Sequence, residues 1–134
     1  MFKLKANIIT GKTGKKKRIL IVDGDEKISD ILKMRLVHAG YAVECAGDEE
    51  KAKDCLKNNI PHMVLLDGKE PGIDGLELIR FMRGTKQFKD IPVFIIAAES
   101  EVKQIEKALN YGAKHYIVKP IDPVFLINRI KKEI

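Results

Sequence analysis

At 134 residues, 45% hydrophobic and 33% charged, the chain accommodates one packed domain and is too short for two ordinary ones. Cys45 and Cys55 stand ten positions apart without zinc-ligand or disulfide-framework spacing, and no apolar run approaches the roughly 20 residues of a membrane span or forms a signal-peptide h-region. The net charge of +6 points to nucleic acid only until it is divided along the chain: residues 1–18 hold seven of the 25 Lys and Arg and none of the 19 acids, leaving 18 basic against 19 acidic residues elsewhere.

A soluble, cytoplasmic protein is therefore expected, with two reduced cysteines in or near its core. Residues 1–17 read as a basic N-terminal tail and residues 18–134 as the folded domain, with no direct nucleic-acid or membrane binding expected of the folded part. Within the tail, "ANIITGKT" (residues 6–13) fits a loose phosphate-loop pattern. Such a loop needs a strand before it and a helix directly after it, whereas "GKKKR" runs straight into a strand, so nucleotide binding is not expected.

From Arg18 onward strand and helix patterns alternate. "RILIVD" is a short β-branched apolar run, and Ile28, Ile31, Leu32, Arg35 and Leu36 follow at helical spacing until Gly40. "YAVECA" reads as a strand, and Asp48 caps a helix that presents Ala52, Cys55 and Leu56 before Pro61. "HMVLLD" is again apolar and again ends on an aspartate. Beyond the loop "GKEPGIDG" come the helical "LELIRFMR", the strand "IPVFIIAA", a helix with Val102, Ile105, Ala108 and Leu109 on one face, the strand "HYIVKP", and a last helix marked by Val124, Ile127 and Ile130.

Five βα units with nearly continuous apolar strands predict a parallel sheet covered on both faces, a doubly wound α/β domain. Sites in such sheets lie beyond the carboxyl ends of the strands. The first strand ends on Asp23, the third on Asp67, the fourth on Ala97 and the fifth on Lys119, so two carboxylates and one ammonium are expected at one rim. Without that spacing, the aspartates would read as turn or helix caps and the lysine as a solvated surface residue.

The stretches "LIVDGDE", "VLLDGKEPGIDGLELI", "PVFIIAAES" and "GAKHYIVKPI", in this order and spacing, resemble the receiver domain of bacterial response regulators, the CheY-like modules of two-component signalling. The resemblance covers Arg18 to Ile134. It implies a flavodoxin-like (βα)5 three-layer sandwich with strand order 2-1-3-4-5. It also implies that Asp67 accepts a phosphoryl group from a phosphohistidine on a sensor histidine kinase or phosphotransfer protein, with Lys119 pairing to the phosphoryl oxygens. Mg2+ would be held by Asp23, Asp67 and the backbone carbonyl of Lys69, and the Lys119–Pro120 bond would be cis. Ala97 and Tyr116 occupy the switch positions, through which the face of the last two helices and the fifth strand would reach a downstream output domain or protein. A homodimer through the last helices is a further habit of the family.

The chain departs from the family pattern at four places. Gly24 stands where the family carries the acid that ligates metal directly, which implies weakened Mg2+ binding; Asp25 reaches that place only through a change of turn geometry. Ala97 replaces a threonine or serine whose hydroxyl bonds the phosphoryl group, at a cost of about 1.5–3 kcal/mol in a charged hydrogen bond. Tyr116 is then either a switch aromatic without its coupling partner or a half-buried core tyrosine. Lys69 and Glu70 are also unusual: both read as exposed, with a Lys69–Glu99 pair across the rim as the functional alternative.

Two function classes follow. One is a phosphorylated signalling receiver. The other is a degenerate receiver, a binding module that works without phosphorylation. An enzyme in the ordinary sense is not expected, since no nucleophile stands beside a base and His38, His62 and His115 lie off the rim.

Overall fold

The computed structural model describes residues 16–67 and 75–134; the phosphate-loop-like stretch, nearly all of the tail, and Lys69 and Glu70 lie outside them. The strands are β1 (Arg18–Val22), β2 (Ala42–Ala46), β3 (Met63–Leu66), β4 (Val93–Ala97) and β5 (His115–Val118), and the helices are α1 (Glu26–His38), α2 (Glu49–Asn58), α3 (Gly75–Arg83), α4 (Val102–Tyr111) and α5 (Pro123–Glu133). All strand pairs are parallel, in the order β2-β1-β3-β4-β5. This is the flavodoxin-like order expected of the chain.

The boundaries follow local chemistry. The side chains of Asp25, Asp48 and Asp122 each accept a backbone N–H in the first turn of α1, α2 and α5, relieving donors that a helix cannot satisfy internally. Gly112 closes α4 at φ +117, a conformation that favours glycine. Its carbonyl accepts from Arg83 Nε and Nη2 at 3.2 and 2.9 Å, tying the end of α3 to the end of α4.

β1, β3 and β4 are buried almost throughout, and successive side chains enter opposite cores. Leu20, Val22, Val64, Leu66 and Ile95 pack with Leu56, Leu78, Met82 and Ile105 from α2, α3 and α4. Ile19, Ile21, Leu65, Phe94 and Ile96 pack with Leu32, Leu36, Leu126 and Ile130 from α1 and α5. Both faces of the sheet are covered, which is why these strands read as unbroken apolar runs.

Three of the apolar residues that mark the helices by their spacing lie outside the core. Ile31, Leu109 and Val124 are exposed, and the buried anchors of their helices are Leu32 and Leu36, Ile105 and Ala108, and Leu126 and Ile130. Each of these residues sits on the shoulder of an apolar stripe narrower than helical spacing alone suggests. β5 is likewise not a fully buried strand: it is an edge strand, and only its Ile117 is buried. At the opposite edge Cys45 is exposed, and Cys55 is half-buried against the core. Both thiols are free, and burial raises the pKa of each.

His62 precedes β3 and its Nδ1 accepts the Arg18 N–H at 3.0 Å, so it joins the first turns of two strands. Burial, followed by the charges of Arg18 and Lys17, pushes its pKa below the ordinary 6.5. The unfolded chain therefore takes up this proton first, and the contribution of neutral His62 is lost as pH falls below about 6.5. Denaturant midpoints compared at pH 7 and pH 5 are expected to show a smaller acid-side loss for His62→Asn, whose Oδ1 keeps an acceptor without titrating.

Candidate functional site

The parallel register creates the site. Val22 pairs with Leu66 across β1 and β3, so the residues that follow, Asp23 and Asp67, leave the sheet side by side. The Asp67 N–H donates to the Val22 carbonyl at 2.9 Å and the Asp23 N–H to the Ala46 carbonyl at 3.0 Å, which continues the ladder one residue past the strands. Both side chains are buried, Asp23 at 4% and Asp67 at 0% exposure. Carboxylates so placed are costly unless paired.

Lys119 comes from the far edge. Its N–H donates to the Ala97 carbonyl at 2.9 Å, extending β5 beside β4, and its Nζ donates to Asp67 Oδ2 in a short charge-assisted contact. The peptide bond between Lys119 and Pro120 is cis, as expected. Three of the charged residues singled out in the sequence, Asp23, Asp67 and Lys119, thus meet at the carboxyl rim. The three histidines were expected away from the rim; His62 sits at the opposite end of the sheet and His115 at the start of β5.

Gly24 is exposed in the turn after Asp23. Asp25 does not take over its place: Asp25 Oδ1 accepts the Lys27 N–H at 3.0 Å as the cap of α1, while the Asp25 N–H donates to Asp23 Oδ1 at 2.8 Å. The chain therefore uses its second acid as a helix cap. Ala97 is buried at the end of β4 and brings no hydroxyl. Tyr116, at 48% exposure, is no core tyrosine. It points outward on the edge strand and lines an open groove of about 450 Å³ with His115, Val118, Asp122, Phe125 and Arg129.

Glu101 is a rim residue that the sequence reading did not single out. Its Oε1 accepts the Ala98 N–H at 2.6 Å, and its own N–H donates to the Ala98 carbonyl at 3.0 Å. A glutamate four residues after the end of a strand, and three after Ala98 at the spacing of a capping box, was the available signal.

Among the described residues no three His, Cys, Asp or Glu side chains gather as a metal cage. The donors at hand, two buried carboxylates at adjacent strand ends, are hard oxygens. They suit Mg2+, which keeps several waters and is commonly held by one or two carboxylates. The third predicted donor, the Lys69 carbonyl, lies outside the described residues, as does the suggested Lys69–Glu99 pair.

The sequence model of the response regulator receiver domain family matches residues 19–131. The chain belongs to this family. Among curated relatives of this receiver domain, Response regulator MprA of Mycobacterium sp. (strain KMS) is 37% identical over 114 residues, covering 85% of this chain and 49% of that protein. The chain spans about half the length of the curated relatives it matches. A response regulator from Chloroflexus aurantiacus J-10-fl superposes with a TM-score of 0.83 at 31% identity, over 88% of this chain and 97% of that one. The chemotaxis response regulator CheY4 of Vibrio cholerae, at 24% identity, has a TM-score of 0.82 over 90% and 100% of the two chains and shows the shared fold. No helix among the described residues of the receiver domain is long and apolar enough to cross a membrane.

The pairing of Lys119 with a fully buried carboxylate makes a stability prediction. Lys119→Met is expected to lower unfolding free energy by about 2 kcal/mol, below the roughly 3–5 kcal/mol of a fully buried pair because Lys119 keeps part of its side chain in water. In a double-mutant cycle with Asp67→Asn, followed by denaturant unfolding, most of that loss should disappear in the background without the carboxylate.

Proposed function

We propose that this receiver domain accepts a phosphoryl group on Asp67 from a phosphohistidine of a sensor histidine kinase or phosphotransfer protein. The observation that carries this reading is the buried Asp67 carboxylate held by the Lys119 ammonium at the carboxyl rim of the sheet. In the transfer, an oxygen of Asp67 bonds to phosphorus as the P–N bond to the donor imidazole breaks, and the departing imidazole takes up a proton. Lys119 follows the charge from the carboxylate to the new phosphoryl oxygens, and its position needs no rebuilding during the step. Asp23 and Asp67 would hold Mg2+, which when bound offsets the negative charge of the incoming group. The domain acts here as a stoichiometric acceptor and not as an enzyme turning over a substrate. The outward Tyr116 and the exposed Phe125, on β5 and α5 beside α4, form the face offered to an output domain or protein.

A second reading has its own observations. Gly24 supplies no carboxylate, Asp25 is engaged in capping α1, and Ala97 supplies no hydroxyl, which together favour a degenerate receiver that binds its partner without phosphorylation. Intact mass after incubation with a small-molecule phosphodonor and Mg2+ separates the two. One phosphoryl adduct on the unmodified chain and none on Asp67→Asn is the expected result; no adduct at saturating donor and metal would leave the binding module.

The metal site provides a graded check. Gly24 is exposed, and the glycines at positive φ among the described residues are Gly40 and Gly112, so a side chain at position 24 meets no left-handed backbone. Gly24→Asp is expected to tighten Mg2+ binding about tenfold by supplying a further carboxylate, measured by calorimetric titration against Asp67→Asn as the weakened reference.

A further inference from the structure

Ala98 is the first residue past β4, and its N–H donates to the Glu101 carboxylate. In a parallel ladder the N–H and C=O of one residue point to the same neighbour, and successive residues alternate. The carbonyls of Val93 and Ala97 accept from Lys114 and Lys119 on the β5 side, at 2.8 and 2.9 Å, whereas the Pro92 carbonyl accepts from Val64 on the β3 side at 3.0 Å. Odd positions of β4 therefore bond β5 and even positions bond β3. By the same alternation Ala98, an even position one residue past the strand, would present its N–H on the β3 side, the side on which Asp67 follows Leu66.

That amide is already occupied by an anion belonging to the chain itself. Glu101 Oε1 accepts it at 2.6 Å, closing a reciprocal turn with the 3.0 Å bond from the Glu101 N–H to the Ala98 carbonyl. The turn by itself is half of a capping box and helps start the single 3-10 turn Glu99–Glu101 that precedes α4. One N–H offers one proton, however, so the carboxylate and an oxygen of a phosphoryl group on Asp67 cannot both hold it. Because Ala97 has no hydroxyl, the Ala98 amide is also the donor that the end of β4 brings to the rim.

We propose that Glu101 is an internal competitor for the phosphoryl group. Its carboxylate holds the Ala98 amide while Asp67 is bare and is displaced when Asp67 carries an oxyanion. This inference rests on the reading of Asp67 as the acceptor, and it adds what that reading lacks, a residue that sets the affinity of the rim for the incoming anion. Displacement also opens the Ala98–Glu101 turn, so occupancy of Asp67 is transmitted to the start of α4 without a side-chain hydroxyl at position 97. Glu101 is a positioning residue in this scheme: it forms no bond to the transferred group.

The test uses beryllium fluoride with Mg2+, which mimics an aspartyl phosphate, titrated by fluorine NMR onto the unmodified chain, Glu101→Gln and Glu101→Ala, with Asp67→Asn as the unliganded control. Gln keeps an acceptor for the cap and removes the charge, so it should leave thermal unfolding unchanged, while Ala should lower it. Both variants are expected to bind the probe about tenfold tighter than the unmodified chain, a fraction of the full like-charge repulsion because the side chain can swing aside. Equal or weaker binding by Glu101→Gln and Glu101→Ala, with the unmodified chain still binding, would overturn the competitor role and leave Asp67 as acceptor. If no chain binds the probe in an Asp67-dependent way, the acceptor reading fails and the competitor role falls with it. Binding seen only in the Glu101 variants would support both.

Discussion

A carboxylate removed from water at 0% exposure must be answered by charge, and Asp67 is answered by Lys119. The two residues directly follow β3 and β5, with β4 between them, so the pair exists only while the three strands keep their register. This links the chemistry of the rim to the packing beneath it. The interleaved cores of the two sheet faces hold the strands level, and the lysine reaches past the end of β4 to the acid. The Arg83 bonds to the Gly112 carbonyl add a second tie on the α3–α4 side.

Around that pair, acids serve two purposes that compete. A carboxylate at a βα junction can cap the next helix or face the rim, and one oxygen does not do both well. Asp23 and Asp67 remain buried at the rim, Asp23 also accepting the Asp25 N–H, whereas the more exposed Asp25 and Glu101 hold backbone amides at the starts of α1 and of the segment leading into α4. The outcome is a receiver domain with Asp67 and Lys119 paired at the rim, a glycine at position 24 and an alanine without a hydroxyl at position 97. Capping contributes about 1 kcal/mol per helix, so local stability favours this division of labour even where it takes donors away from the site.

Much of the fold was legible in the residues. Apolar runs ending on Asp23, Asp67 and Lys119, the cap at Asp48, and the order of the motifs were sufficient for the strand order and for the meeting of three charges. Ile31, Leu109 and Val124 were not assignable from spacing, because an apolar residue on the shoulder of a helix has the same period as one on its buried face. The engagement of Asp25 and Glu101 was also hidden, since the same residue types at the same spacing suit a cap and a site equally.

The sequence by itself determined the type and order of the elements, the family, and which residues could carry charge at the rim, because these depend on local periodicity and on motifs read along the chain. Only the tertiary structure decided which partner each of those groups takes: Lys119 on Asp67, Asp25 on the Lys27 amide, Glu101 on the Ala98 amide, and Tyr116 facing outward from an edge strand. The physical reason is that a hydrogen bond or ion pair is chosen by distances of a few tenths of an ångström. Across β3, β4 and β5 those distances are set by a strand register that joins residues up to 52 positions apart.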